Sequence, residues 1–216
     1  MGKDLRYFPR LLDIYMGVLA SALGCFHLIV ADFPSADVVR IFIFVIFLMN
    51  SGLAFNLFGL DDRDGLARYN LLPLSGRTIL LSKNLAFAMT VGVQLLPLVI
   101  FTLWRLGLWQ SFSVIAIGAS SASAYIAWGN WMSVTQVQKL TFFRFSSSSR
   151  ALADAVGGLI FGSLPGVVAI YAFRNPGFMW LFVLVAMLAF ASHAVSLVQF
   201  GKRFEQRRES IATAFV

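Results

Sequence analysis

The sequence predicts an all-α polytopic membrane protein with six transmembrane helices and both termini in the cytoplasm. Three observations carry this. Of the 216 residues, 59% are hydrophobic and 12% are charged, about half the charged share of an ordinary soluble domain, roughly 25%. The apolar residues fall in runs of about 20, the length that crosses a hydrocarbon core of about 30 Å. Lysine and arginine concentrate in alternate connections between those runs, as the positive-inside rule requires.

The spans are expected at Leu11–Val30, Val38–Phe58, Asn84–Trp104, Ser111–Trp131, Asp154–Phe173 and Phe178–Phe200. Backbone groups in lipid must be paired within the chain, and the runs lack the alternating polarity of barrel strands, so each is read as a helix. The first run follows Lys3, Arg6 and Arg10 and resembles a signal peptide. It exceeds the usual apolar core of such peptides, so we read it as a retained span, with cleavage after Ala31 as the alternative. Fourteen basic residues lie in the N-terminus, the second and fourth connections and the C-terminus; three, Arg40, Arg105 and Arg174, lie on the other side. The fourteen mark the cytoplasm. Trp104, Trp109, Tyr171 and Trp180 fall near the expected outer surface, and Trp128 and Trp131 near the inner one, where aromatic rings favour the interface. The outer connections Ala31–Asp37, Arg105–Gln110 and Arg174–Gly177 are short. Those at Gly59–Lys83 and Ser133–Ala153 are longer, so partners are expected in the membrane or cytoplasm.

Within the bilayer, Gly158, Gly162 and Gly166 recur every four residues in the fifth span. They form one face that a second helix can approach closely, either within the chain or at a dimer interface. Pro165 should bend that span. Small residues also gather at Gly118–Ala124 and at Gly17, Ala20, Ser21 and Gly24. Asn50, Gln94 and Asn130 are expected to hydrogen-bond between helices. The lone Cys25 reads as a packed apolar residue. His193 lies deep in the last span without the series of ionisable groups that a proton relay needs.

Catalytic motifs are missing. The chain has no phosphate loop, no H-E-x-x-H, no G-x-S-x-G, and no glutamate before Glu205. It is read as no enzyme, with no catalytic residue, metal or directly bound cofactor. The run from Asp61 to Arg68 partly resembles the metal-binding signature of CDP-alcohol phosphatidyltransferases. It departs in one spacer residue, and no Asp or Glu occurs between Arg68 and Lys139, whereas a two-metal site needs several carboxylates.

The segment NLFGLDDRDGLARYNLLPLSGRTILLSKNLAF from Asn56, with KDLRYFPR at Lys3–Arg10 and GNWMSV at Gly129–Val134, resembles the permease subunits of type-2 ATP-binding-cassette (ABC) exporters, or one half of a longer permease. Asn56, Phe58, Gly59, Tyr69, Pro73, Lys83 and Asn84 stand at matching places; the proline that commonly follows the last motif is absent here. The resemblance implies an interfacial elbow over residues 1–10, a cytoplasmic coupling loop over 59–83 and a cytoplasmic tail over 201–216. It implies a short coupling helix between spans two and three, at about Asp61–Leu72. There Leu66, Tyr69 and Leu71 would seat on a cytoplasmic ATPase, as amphipathic helices do. Asp61, Asp64 and Arg68 would fix its orientation, and Pro73 is counted with the same coupling residues. A helix lying on anionic lipid is the other reading of that segment. The implied partners are the ATPase, which supplies ATP hydrolysis, a second permease subunit in a homodimer or heterodimer, and membrane lipid, with no nucleic acid. The implied setting is a bacterial or archaeal plasma membrane. A membrane scaffold or another multi-span transporter is the alternative.

Overall fold

The computed structural model describes residues 12–58, 74–135 and 149–213, and it contains no strand among them. Six helices follow in order: α1 (Leu12–Val30), α2 (Ala36–Phe55), α3 (Gly76–Leu106), α4 (Leu108–Thr135), α5 (Ser149–Arg174) and α6 (Met179–Thr213). A 3₁₀ turn, Pro176–Phe178, joins the last two. Among the described residues, five helices, α2 to α6, are long and apolar enough to cross a membrane; the first is apolar over the shorter stretch Ile14–Val30.

Local chemistry fixes several boundaries. Ser75 caps α3, its hydroxyl accepting the Thr78 N–H at 3.2 Å, which satisfies an otherwise free donor of the first turn. One residue, Gly107, separates α3 from α4. Its φ of +87° is costly for any residue with a Cβ, and its N–H closes on the Thr102 carbonyl at 3.1 Å. At the end of α5 the Asn175 amide donates to the Tyr171 carbonyl at 3.1 Å, and Pro176 opens the next turn.

The helices surround α4, which packs against α2, α3, α5 and α6; those four close a ring by the contacts α2–α3, α3–α6, α6–α5 and α5–α2. Helix α1 lies outside the ring, against α2 and α3. The centre thus goes to the least apolar of the five long helices. Ser120, Ser121 and Ser123 are buried there. Ser120 and Ser123 return their hydroxyls to the carbonyls of Ala116 and Ala119 at 2.7 and 2.9 Å, so this polarity is satisfied inside the helix. The outer helices expose large apolar side chains at mid-length, including Val93 at 71% and Ile160 at 65%. Such a surface suits hydrocarbon, because soluble monomers rarely expose apolar patches beyond a few hundred Å². The chain is an integral, polytopic α-helical membrane protein.

Helices outrun the apolar windows in three places. Residues 76–83, expected in the second connection, form the first two turns of α3, and Lys83 is buried. Helix α5 begins at Ser149, and α6 continues through the expected tail to Thr213. A hydropathy window measures immersion, whereas a helix continues as long as its backbone bonds and contacts persist. Helix α5 runs through Pro165 without a break.

Candidate functional site

At the end that carries the short connections, Asp37 joins two arginines. Its Oδ1 accepts from Arg40 Nη1 and its Oδ2 from Arg174 Nε, each at 2.7 Å. Arg40, with a side chain 4% exposed, also donates to Gln110 Oε1 at 2.7 Å and lies 4.6 Å from the Phe173 ring centroid. This clamp joins α2, α4 and α5. Arg105 donates to the Leu28 and Ala31 carbonyls at 2.8 and 2.9 Å, which satisfies the last turn of α1. The three basic residues expected on the outer side therefore gather at one end of the bundle.

Midway along, a polar lock holds α1 to the ring. Asn50 Nδ2 donates to Gln94 Oε1 at 2.7 Å and to the Ile46 carbonyl at 2.7 Å. Ser21 donates to the Gln94 carbonyl at 2.6 Å, and Gln94 Nε2 to the Ile14 carbonyl at 3.3 Å. Gly17 faces the Asn50 and Gln94 amides, and Gly24 faces Leu98 and Phe42. The small residues of α1 are thus its contact face with α2 and α3, while Tyr15, Leu19, Leu23 and Phe26 point outward.

The opposite, basic end is the candidate site, because the ends of α2, α3 and α4 that flank the long connections are fastened to one another and to α6 there. Gly129 of α4 lies directly against the Ala54 carbonyl of α2. Four residues on, Ser133 Oγ accepts the Leu57 N–H at 2.9 Å and donates to the Phe55 carbonyl at 3.3 Å. Between them Asn130 Nδ2 donates to Ser196 Oγ of α6 at 3.0 Å. The Gly-Asn-x-x-Ser run therefore ties α4 to α2 on one side and to α6 on the other.

Helix α6 fastens the rest. Gly201 packs against the backbone of Gly76 and Arg77. One turn later Glu205 Oε1 accepts the Gly76 N–H at 2.7 Å, a carboxylate at the positive end of α3. Phe204 stacks on Phe58 at 4.9 Å and 8°, and Arg207 donates to the Val134 carbonyl at 3.3 Å. Buried Lys83 carries its Nζ 5.7 Å from the Phe58 centroid, so its charge points toward this end. Phe58 and Leu74, the residues on either side of the segment 59–73, thus abut elements held by one helix.

Of the residues singled out from sequence, Asp61, Asp64, Leu66, Arg68, Tyr69, Leu71 and Pro73 lie outside the described residues, as does the elbow Lys3–Arg10. Gly158 faces Phe55 and Trp128, Gly162 faces the Tyr125 ring, and a Cβ added at Gly166 would stand 3.9 Å from Ile117 and Ser121; all these neighbours belong to this chain. Trp128, expected at the inner interface, packs beside Trp131 of its own helix and against Phe161 of α5. Sequence reasoning missed Glu205, Gly201 and Ser196. The available signal was a glycine, Gly201, where the apolar run turns basic. Among the described residues no group of three or more His, Cys, Asp or Glu side chains could hold a metal ion. Compared with protein-family models, with curated proteins and with solved structures, the chain matches none.

Proposed function

We propose that the chain is the membrane-spanning permease subunit of an ABC exporter. In this reading it has six spans, cytoplasmic termini and no ATPase activity of its own. It acts as a dimer with an ATPase subunit in a bacterial or archaeal plasma membrane, and moves an apolar or amphipathic cargo. The observation that carries the reading is the junction at the basic end. Phe58 and Gly76, near the two ends of the segment 59–73, are fastened to Phe204 and Glu205 of α6, and α6 is fastened to α4 through Asn130. A partner pressing on that segment would move α2, α3 and α6 together, which is what coupling to an ATPase demands. The gathering of the short connections at the other end supports an even number of spans. So does the length of α1, whose 19 residues extend about 28 Å. Helix α4 fills the middle of the bundle, which favours a pathway between two subunits over one through a single chain.

The test is a pull-down of the tagged protein from mild detergent, assayed for ATPase activity, with residues 61–72 intact or replaced by a Gly/Ser linker. Recovery of an ATPase that the linker abolishes is the expected result. Absence of any ATPase from the intact protein, under conditions that preserve known membrane complexes, overturns the exporter reading and favours a scaffold or an independent transporter.

A further inference from the structure

Two of the interhelical polar clusters among the described residues differ in one respect. In the Ser21–Asn50–Gln94 lock no side-chain polar atom is left buried without a partner, whereas between α3, α4 and α6 four atoms are: Asn84 Nδ2, Asn84 Oδ1, Asn130 Oδ1 and His193 Nε2. Asn84 is 2% exposed and Asn130 fully buried. The packing register brings these residues together. Helices α3 and α6 run antiparallel, with Gly76 on Gly201 and Leu80 in one cluster with Leu197. Extending that register by four residues on each helix, along the same stripe, puts Asn84 at the level of His193. From α4, Asn130 reaches Ser196 at 3.0 Å, and Ser196 donates to the His193 carbonyl at 2.9 Å.

We propose that Asn84, Asn130 and His193 form an intramembrane binding site for one small neutral hydroxyl group, either water itself or the hydroxyl of an amphipathic molecule. A polar atom kept from water without a hydrogen bond costs several kcal/mol in hydrocarbon. One bridging group that both donates and accepts relieves two such atoms when it is an alcohol hydroxyl and three when it is water. A hydroxyl fits, accepting a hydrogen bond from Asn84 Nδ2 and donating one to Asn130 Oδ1, Asn84 Oδ1 or the His193 Nε2 lone pair. The surrounding groups are amides, a hydroxyl and an imidazole. The neighbouring cation, Lys83, points away toward Phe58. The site therefore selects a neutral group over an ion. This inference stands apart from the exporter reading, since a scaffold could carry the same site.

The experiment is X-ray radiolytic labelling of the full chain in lipid nanodiscs after a pulse of H₂¹⁸O. The expected result is oxidation of His193 with slowly exchanging oxygen. Asn84→Leu and Asn130→Leu should each lower it roughly fivefold, the loss expected for one hydrogen bond of ordinary net strength. A second arm adds n-hexanol. Protection of His193 in the wild type, lost in Asn84→Leu, assigns the site to hydroxylated ligands; labelling that the alcohol leaves unchanged assigns it to internal water. A wild-type His193 labelled no more than buried Leu197, or labelled only with freely exchanging oxygen, overturns the proposal, and that reading needs no variant to fold.

Discussion

Replacing Gly129 by alanine should loosen the basic end of the bundle. An added Cβ would stand 2.8 Å from the Ala54 carbonyl carbon and closer still to its oxygen. Carbon atoms rest at about 3.5–4.0 Å, so α2 and α4 must part by at least about 0.7 Å. A shift of that size along the Leu57 N–H to Ser133 Oγ bond, 2.9 Å long, stretches it to at least about 3.6 Å, past the range of a hydrogen bond. Overpacking costs about 1–3 kcal/mol and the weakened bond about 1 kcal/mol. Alanine returns about 1 kcal/mol of helix propensity. The net expectation is a loss of about 1–3 kcal/mol. Gly92 provides the control, because a Cβ there meets nothing within 4 Å; Gly92→Ala should keep the propensity gain and be slightly stabilising. Equilibrium unfolding in mixed micelles, followed by helix content, reads both. A Gly129→Ala protein as stable as Gly92→Ala would refute the close approach of α2 and α4 and the coupling of the Ser133 bridge to it.

The polar lock should show measurable coupling: in a double-mutant cycle of Asn50→Leu and Gln94→Leu we expect an interaction of roughly 0.6 kcal/mol, and at most about 1.7 kcal/mol, whereas strict additivity of unfolding energies would mean that the two amides do not pair. At the short-connection end, Asp37→Ala should destabilise far more than Arg174→Ala. The first leaves Arg40 buried without its carboxylate, while the Arg174 side chain is 62% exposed and its pair is worth about 0–1 kcal/mol; equal losses in thermal unfolding would argue against a buried role for Arg40.

The helical class was legible because bilayer thickness sets the length of an apolar run, and the charge bias was visible because it lies in the connections. Asn50 and Gln94 were readable as interhelical partners, since an amide in an apolar run has few other uses. The junction at the basic end was not. Gly201 and Glu205 sit where hydropathy falls, and a window of apolarity cannot show that the helix continues for three more turns to cap another. Lys83 misled in the same way, as a charge reads as a loop residue until its neighbours are known. The unpartnered atoms of Asn84 and His193 were equally hidden, because satisfaction depends on who stands opposite.

The sequence by itself determined that this chain is a set of long apolar helices with basic alternate connections, because solvent and charge act on each segment separately. Only the tertiary structure decided which helix occupies the centre, which glycines touch backbone, and which polar groups are paired. Those outcomes depend on register between helices far apart in the chain, and register is set by mutual packing that no single segment contains.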